Sequence, residues 1–303
     1  MNNKMNTLVA ANLPAACRAL MGGAARRLPL LAAALLLTLL TACRNGRQSA
    51  VPGVQEVSGF YDAKAATMTD TQQQVVRYEL PARLKDRPEQ ILTRLGYTVS
   101  YNSTTRCPNW VAWHLTADHT RGSHSRQNEQ FTEDTSVAEP RATNQDYYNS
   151  RYDRGHLCPA GDSKWSAQAM AESFLLTNIC PQNHGLNSHE WNDVEMLCRE
   201  WARKYGAIDI VCGPLYTQPA AQQRTIGRNR VWVPDRLFKV VLCRKGTPKA
   251  IGFIYRNEGK KQLMEEAVCT VDEVERLTGI DFFPALDDKT EKRIEAEAKL
   301  ADW

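Results

Sequence analysis

A mixed α+β fold, with a central antiparallel sheet flanked by helices, follows from three features of the sequence. Short β-branched and aromatic runs bounded by turn residues recur along the chain. One long run has helical rather than alternating periodicity. The strand candidates are also not separated by regular crossover helices, which argues against a parallel sheet. The strand candidates in order are YTVSYN (97–102), WVAWHLT (110–116), ESFLLTNI (172–179), AIDIVCGPLY (207–216), RVWVPDRLFKVVLC (230–243, broken by Pro234) and KAIGFIYRN (249–257). Gly246-Thr247 before Pro248 suggests a hairpin joining the last two. The helical run is 188–205, where Trp191, Val194, Leu197, Cys198 and Trp201 recur at three- and four-residue intervals. Shorter helices are expected at 62–77, 164–171, 271–277 and 287–301. Neither G-x-G-x-x-G nor G-x-x-x-x-G-K-[ST] occurs, so dinucleotide and P-loop folds have no support.

The first forty residues read as a targeting segment. Arg26 and Arg27 precede an apolar run, 28–40, too short to span a bilayer as a helix. The run closes on Leu40-Thr41-Ala42-Cys43, which resembles the lipobox of bacterial lipoproteins, with Cys43 lipidated. An ordinary secretory signal with an incidental cysteine is the alternative. Met1, Met5 and Met21 are all candidate starts. The expected organisation is a signal peptide (1–42), a lipidated cysteine and tether (43–88), one catalytic-size domain (89–286) and a C-terminal helical tail (287–303). This places the chain in the cell envelope, membrane-attached through its lipid, on either the periplasmic or the cell-surface side.

Residues 1–43 carry four basic residues and no acid, so the remainder has 34 of each sign. Global charge therefore does not argue for a polyanion ligand. Its distribution is uneven. Residues 221–260 hold ten Lys and Arg (224, 228, 230, 236, 239, 244, 245, 249, 256 and 260) against Asp235 and Glu258. From 263 onward twelve acids face five bases. A basic face or two solvated faces of opposite sign fit equally well. Seven cysteines follow Cys43. In an oxidising compartment this count predicts at least two disulfides, and the absence of C-x-x-C argues against a zinc knuckle.

Chemistry concentrates in three stretches. DRGHLCPA (153–160) packs an acid, a guanidinium, a glycine and an imidazole into four residues. A neutral His takes protons near neutral pH, and an adjacent Arg can hold phosphate oxygens; a turn pinned by an Asp153–Arg154 pair is the alternative. Asn187, Trp191 and Glu195, spaced four apart, stack on one helical face if the helix begins near Asn187. The competing reading makes Asn187 an N-cap, with Glu190 completing a capping box. TNICPQNHGLN (177–187) adds Asn178, Gln182 and Asn183.

DRGHLCPAGD, FLLTNICPQNHGLNSHEWNDVE, CGPLY, VPDRLFKVVL, FIYRN and VDEVERLTGIDFF, in this order over about 91–284, resemble the DNA/RNA non-specific endonucleases of the ββα-metal (His-Me finger) group. The resemblance implies His156 as general base, Asn187 as the direct ligand of Mg²⁺ (with Mn²⁺ as a substitute), and Glu195 acting on the metal through water. It also implies that Asn178 orders the site and that Arg154 contacts phosphate. A second family arginine precedes an aromatic-x-x-D pattern, here Phe131 and Asp134, which makes Arg126 the candidate and Arg121 the fallback. Cys158 and Cys180 flank the two catalytic loops; a local disulfide and two buried thiols are both open. The implied activity is hydrolysis of DNA and RNA to 5′-phosphate products. The alternatives are a phosphodiesterase for short oligonucleotides and an inactive nucleic-acid-binding lipoprotein. Whether the chain forms a homodimer or meets an inhibitor protein is not written in the sequence.

Overall fold

The computed structural model describes residues 76–303. Strands β1 (Gln90–Thr93), β2 (Thr98–Asn102) and β3 (Cys107–Thr116) open the fold as an antiparallel meander. Helix α1 (Asn144–Tyr147) precedes β4 (Asp153–His156), and α2 (Ala167–Ser173) precedes β5 (Ile179–Gln182). Two helices follow, α3 (His184–Ser188) and α4 (Glu190–Tyr205), then β6 (Ala207–Leu215). The short β7 (Thr225–Ile226) and β8 (Val231–Trp232) pair with each other before β9 (Arg236–Cys243) and β10 (Lys249–Arg256) form a long hairpin. Helix α5 (Met264–Ala267), β11 (Val268–Cys269), α6 (Val271–Thr278) and α7 (Asp288–Glu295) complete the described chain. The main sheet has the order β1-β2-β3-β6-β9-β10-β11, antiparallel throughout.

Successive strand residues point to opposite faces, and the sheet is buried on both. Val111, Trp113 and Leu115 of β3 and Leu237 and Val241 of β9 share one core with Leu157, Ile179, Trp191 and Val194. Trp110 and Ala112, with Phe238, Val240 and Leu242, share the other with Val274, Phe282, Phe283 and Ile294. The β4–β5 pair and α4 thus cover one face, and α6 and α7 cover the other. Residues before β1 also dock there, since Tyr78, Leu80 and Leu84 pack on the second core.

Several expected boundaries move. The run 172–179 is not a strand: it is the end of α2, a 3-10 turn (Leu176–Asn178) and the start of β5. Met170 and Phe174, four apart, pack together with Ala160, so a helical face wins over an alternating one. The helix expected from 188 is interrupted at His189 (φ −121°, ψ −92°), which separates α3 from α4. Asn183, not Asn187, caps α3, accepting from the Gly185 N–H, so the Asn187 capping box does not form. Helix α7 stops at Glu295, with a 3-10 turn at Leu300–Asp302. Residues 62–75 of the expected first helix, the apolar run 28–40 and Cys43 lie outside the described residues.

The disulfides expected from compartment and count are absent: Cys107, Cys158, Cys180, Cys198, Cys212, Cys243 and Cys269 are all free thiols. Cys180 sits opposite Gly155 in the β4–β5 ladder, whereas Cys158 lies beyond the strand end, where the Asn178 side chain holds its backbone. Each thiol serves as a small apolar side chain, and burial pushes Cys107, Cys198 and Cys212 up to about 12. The membrane attachment expected through Cys43 rests on residues outside those described. Among the described residues no helix is long and apolar enough to cross a membrane. The thiol assignment is directly measurable. Denatured protein should release seven reactive thiols from residues 76–303 without reductant. A lower count, restored by reductant, would contradict it.

Candidate active site

The DRGH residues form β4, whose partner β5 carries the Pro-Gln of the second motif, with Asp153 opposite Gln182 and His156 opposite Ile179. Gly155 is required by close approach: a Cβ there would lie 2.0 Å from the Gln182 side-chain oxygen. Asp153 does not pair with Arg154, as the turn reading would have it. Its Oδ2 accepts from the Asn187 carboxamide (2.9 Å) and contacts His184 Nδ1 at 2.9 Å. The acid at the start of β4 thereby holds the residue expected to bind metal.

Beyond His156 the chain is pinned by Asn178, which is completely buried. Its Oδ1 accepts from the Cys158 N–H (2.9 Å), and its Nδ2 donates to the carbonyls of Cys158 and Ser173, both at 2.8 Å. The Trp191 indole N–H donates to the His156 carbonyl (3.3 Å), tying α4 to the same strand end. These bonds fix the backbone leaving the imidazole, and the β4–β5 ladder fixes it on the other side.

His156 is 8% exposed and lies between two aromatic rings, Phe131 with centroids 5.2 Å apart and Phe174 edge-on at 4.9 Å. Its Nε2 is buried without a hydrogen-bond partner. Burial first, and the positive charge of Arg126 second, push the imidazole down to about 3, so it is uncharged at neutral pH. Arg126 lies with its guanidinium 5.7 Å from the Phe174 ring, and Arg154 lies 5.0 Å from Phe131 and 6.0 Å from Tyr147. Both arginines rest on the aromatic walls that enclose the histidine. The Phe131 loop is anchored by Asp134, which accepts from Thr177 Oγ1 (2.5 Å) and pairs with Arg94. The structure brings Arg126 to this cluster; Arg121 is exposed, its backbone N–H closing a turn on Asp118.

Asn187 lies on α3 and Glu195 on α4, so they do not stack on one continuous helix. They are linked instead through Asp153 and through Trp191, which seats α4. Burial pushes Glu195 up to about 7, against the downward pull of Lys239 and Arg199. Arg126 also acts on Glu195 electrostatically, as it does on His156. With its carboxamide NH₂ held by Asp153, Asn187 keeps an oxygen as its free donor. An Asn oxygen and a carboxylate suit a hard divalent cation such as Mg²⁺.

Sequence reasoning missed the Phe131–Phe174 enclosure, the Asp153 brace and Lys239. The basic block 221–260 is not a single face. Lys239 is completely buried, its Nζ lying 5.0 Å from the Trp113 ring and 4.6 Å from the Trp191 ring. Arg244 pairs with Asp209, Arg256 with Glu258, and Lys249 bonds Tyr205 Oη. The alternating strand pattern was the available signal: Lys239 falls in phase with Leu237 and Val241.

A two-stranded ladder followed by helices, presenting histidine, asparagine and glutamate, defines a ββα metal-nuclease site. The chain belongs to the DNA/RNA non-specific endonuclease family, whose model matches residues 79–289. It is 40% identical over 205 residues to the mitochondrial nuclease EXOG of Danio rerio, covering 63% of this chain and 60% of that protein. It is 32% identical over 223 residues to human mitochondrial endonuclease G, covering 70% of this chain and 73% of that protein. Among solved structures, one described as an EndoG/EndoGI complex superposes with a TM-score of 0.65 at 27% identity, covering 70% of this chain and 91% of that one. The chain thus spans somewhat less than two thirds of the length of the EXOG protein it matches.

The buried imidazole makes a testable demand. An unfolded histidine protonates near ~6.5, whereas His156 resists protonation until far lower. The unfolded state therefore binds the extra proton first, and stability falls as pH drops below ~6.5. The His156 ring signals in an NMR titration should remain those of the neutral form from pH 8 to pH 5, and His156→Gln should flatten the acid loss of melting temperature. Titration of the ring near its ordinary value would contradict the enclosure described.

Proposed function

We propose that the chain is a Mg²⁺-dependent endonuclease that hydrolyses phosphodiester bonds of DNA and RNA to 5′-phosphate products. The observation that carries this reading is the uncharged, enclosed His156 on a ββα unit whose following helices present Asn187 and Glu195. Because the Nε2 edge is sealed without a partner, Nδ1 is the nitrogen assigned to take a proton from the attacking water. A neutral imidazole held in place needs no prior deprotonation to act. Arg154 and Arg126, steadied on Phe131 and Phe174, supply fixed positive charge to phosphate oxygens as negative charge grows in the transition state. Asn187, oriented by Asp153, would hold the cation, and Glu195 would orient its surrounding water from α4. Bound there, the ion supplies charge neutralisation at the phosphate and at the leaving oxygen. Water as nucleophile makes no use of a ribose 2′-hydroxyl, so both DNA and RNA are substrates in this reading. Contacts confined to the backbone give little sequence preference.

The deciding experiment is digestion of plasmid, single-stranded DNA, RNA and dinucleotides, with and without EDTA. Long substrates should be cut internally only when a divalent ion is present. Full turnover in EDTA, or cleavage restricted to dinucleotides, would overturn the reading. Removal of the base in His156→Ala should reduce kcat by ~10²–10⁴ while substrate binding persists. Asn187→Ala should abolish the metal response, and Arg154→Ala should weaken binding and turnover together. A His156→Ala protein that cuts plasmid at the unaltered rate would end this mechanism.

A further inference from the structure

On the face of the sheet opposite the histidine, α6 and α7 bring together an acidic cluster that the nuclease chemistry does not use. Carboxylate oxygens of Asp272, Glu275 and Glu295 all lie within 4.8 Å of one another. The three span the exposure range: Asp272 exposed, Glu275 half-buried and Glu295 only 5% exposed. Glu275 Oε1 accepts from the Phe282 N–H at 2.7 Å, which fixes its carboxylate. Glu295 Oε1 is buried with no hydrogen-bond partner, and so is Oε1 of Glu291 one turn earlier. Among the described residues no lysine, arginine or histidine pairs with Asp272, Glu275, Asp281, Glu291 or Glu295.

A buried, unpartnered carboxylate beside further acids is strongly unfavourable unless a cation or protons neutralise it. The all-oxygen donor set, drawn from two helices and open at Asp272, suits the irregular, water-completed coordination of calcium better than the strict octahedron of magnesium. We propose that Asp272, Glu275 and Glu295 form a structural calcium site that clamps α7 to α6 on the sheet. Burial and the neighbouring acids push Glu275 up to about 7 and Glu295 up to about 9. Glu295 lies beyond residues 79–289, the stretch matched to the family, whereas Asp272 and Glu275 lie within it. The clamp holds Ile294 against Phe282 and Phe283 in the second core.

The test is calcium titration of the EDTA-stripped full chain, by calorimetry and by thermal melting at pH 8. Unaltered protein should bind calcium in a step that Asn187→Ala retains and that Glu295→Gln or Asp272→Asn loses at least tenfold. Its melting temperature should rise by roughly 5 °C at calcium 100-fold above its Kd. In EDTA, Glu295→Gln should melt no lower than the unaltered chain, because it removes a buried carboxyl that must otherwise be neutralised. Calcium binding that survives Glu295→Gln and Asp272→Asn but is lost in Asn187→Ala would overturn the proposal. So would a melting temperature that ignores calcium and simply falls as pH rises, the signature of a cluster neutralised by protons. None of these readouts requires nuclease activity.

Discussion

The short turn at Leu176–Asn178 holds the histidine's surroundings together. Asn178 makes three hydrogen bonds in a place without solvent, two to Cys158 and one to Ser173. Its neighbour Thr177 reaches the other way, to Asp134 and the loop that carries Phe131. One turn therefore sets both the chain leaving His156 and one of the rings that enclose it. An apolar replacement for Asn178 would strand buried Cys158 and Ser173 groups, each such loss costing ~1–3 kcal/mol. The imidazole can be uncharged and immobile because its frame is overdetermined.

A second layer of constraint is electrostatic. Asp162, from the end of the DRGHLCPAGD motif, accepts from Trp113 Nε1 and from Arg199, both at 3.0 Å. Arg199 comes from the same helix as Glu195, one turn later, and Lys239 lies beneath that helix between Trp113 and Trp191. Both cations draw the Glu195 carboxylate toward its ionised form against the effect of burial. Helix α4 thus carries an acid whose charge is supported from within the core.

Much of this is legible in the sequence. The antiparallel strands, the β9–β10 hairpin and the DRGH, N-x-x-P-Q and N-x-x-x-W-x-x-x-E patterns all appear as residue spacing. What escaped depends on contacts between distant segments. Phe131 and Phe174 are unremarkable until the chain folds them around His156. Asp153 looked like a partner for the adjacent Arg154, but the ladder turns it toward Asn187. The break at His189 has no glycine or proline to announce it. The cysteines misled because their number suggests pairing, whereas their burial makes them ordinary core residues.

The free thiols also affect when this domain can become competent. A hydrolase stapled by disulfides stays unfinished in reducing surroundings, so its maturation is timed by an oxidant. Here the framework consists of packed side chains and backbone ladders, with every described cysteine reduced. These residues can reach their final packing whatever the local redox poise. The site carried by β4, α3 and α4 is thus assembled by folding alone, and no thiol among the described residues times its completion.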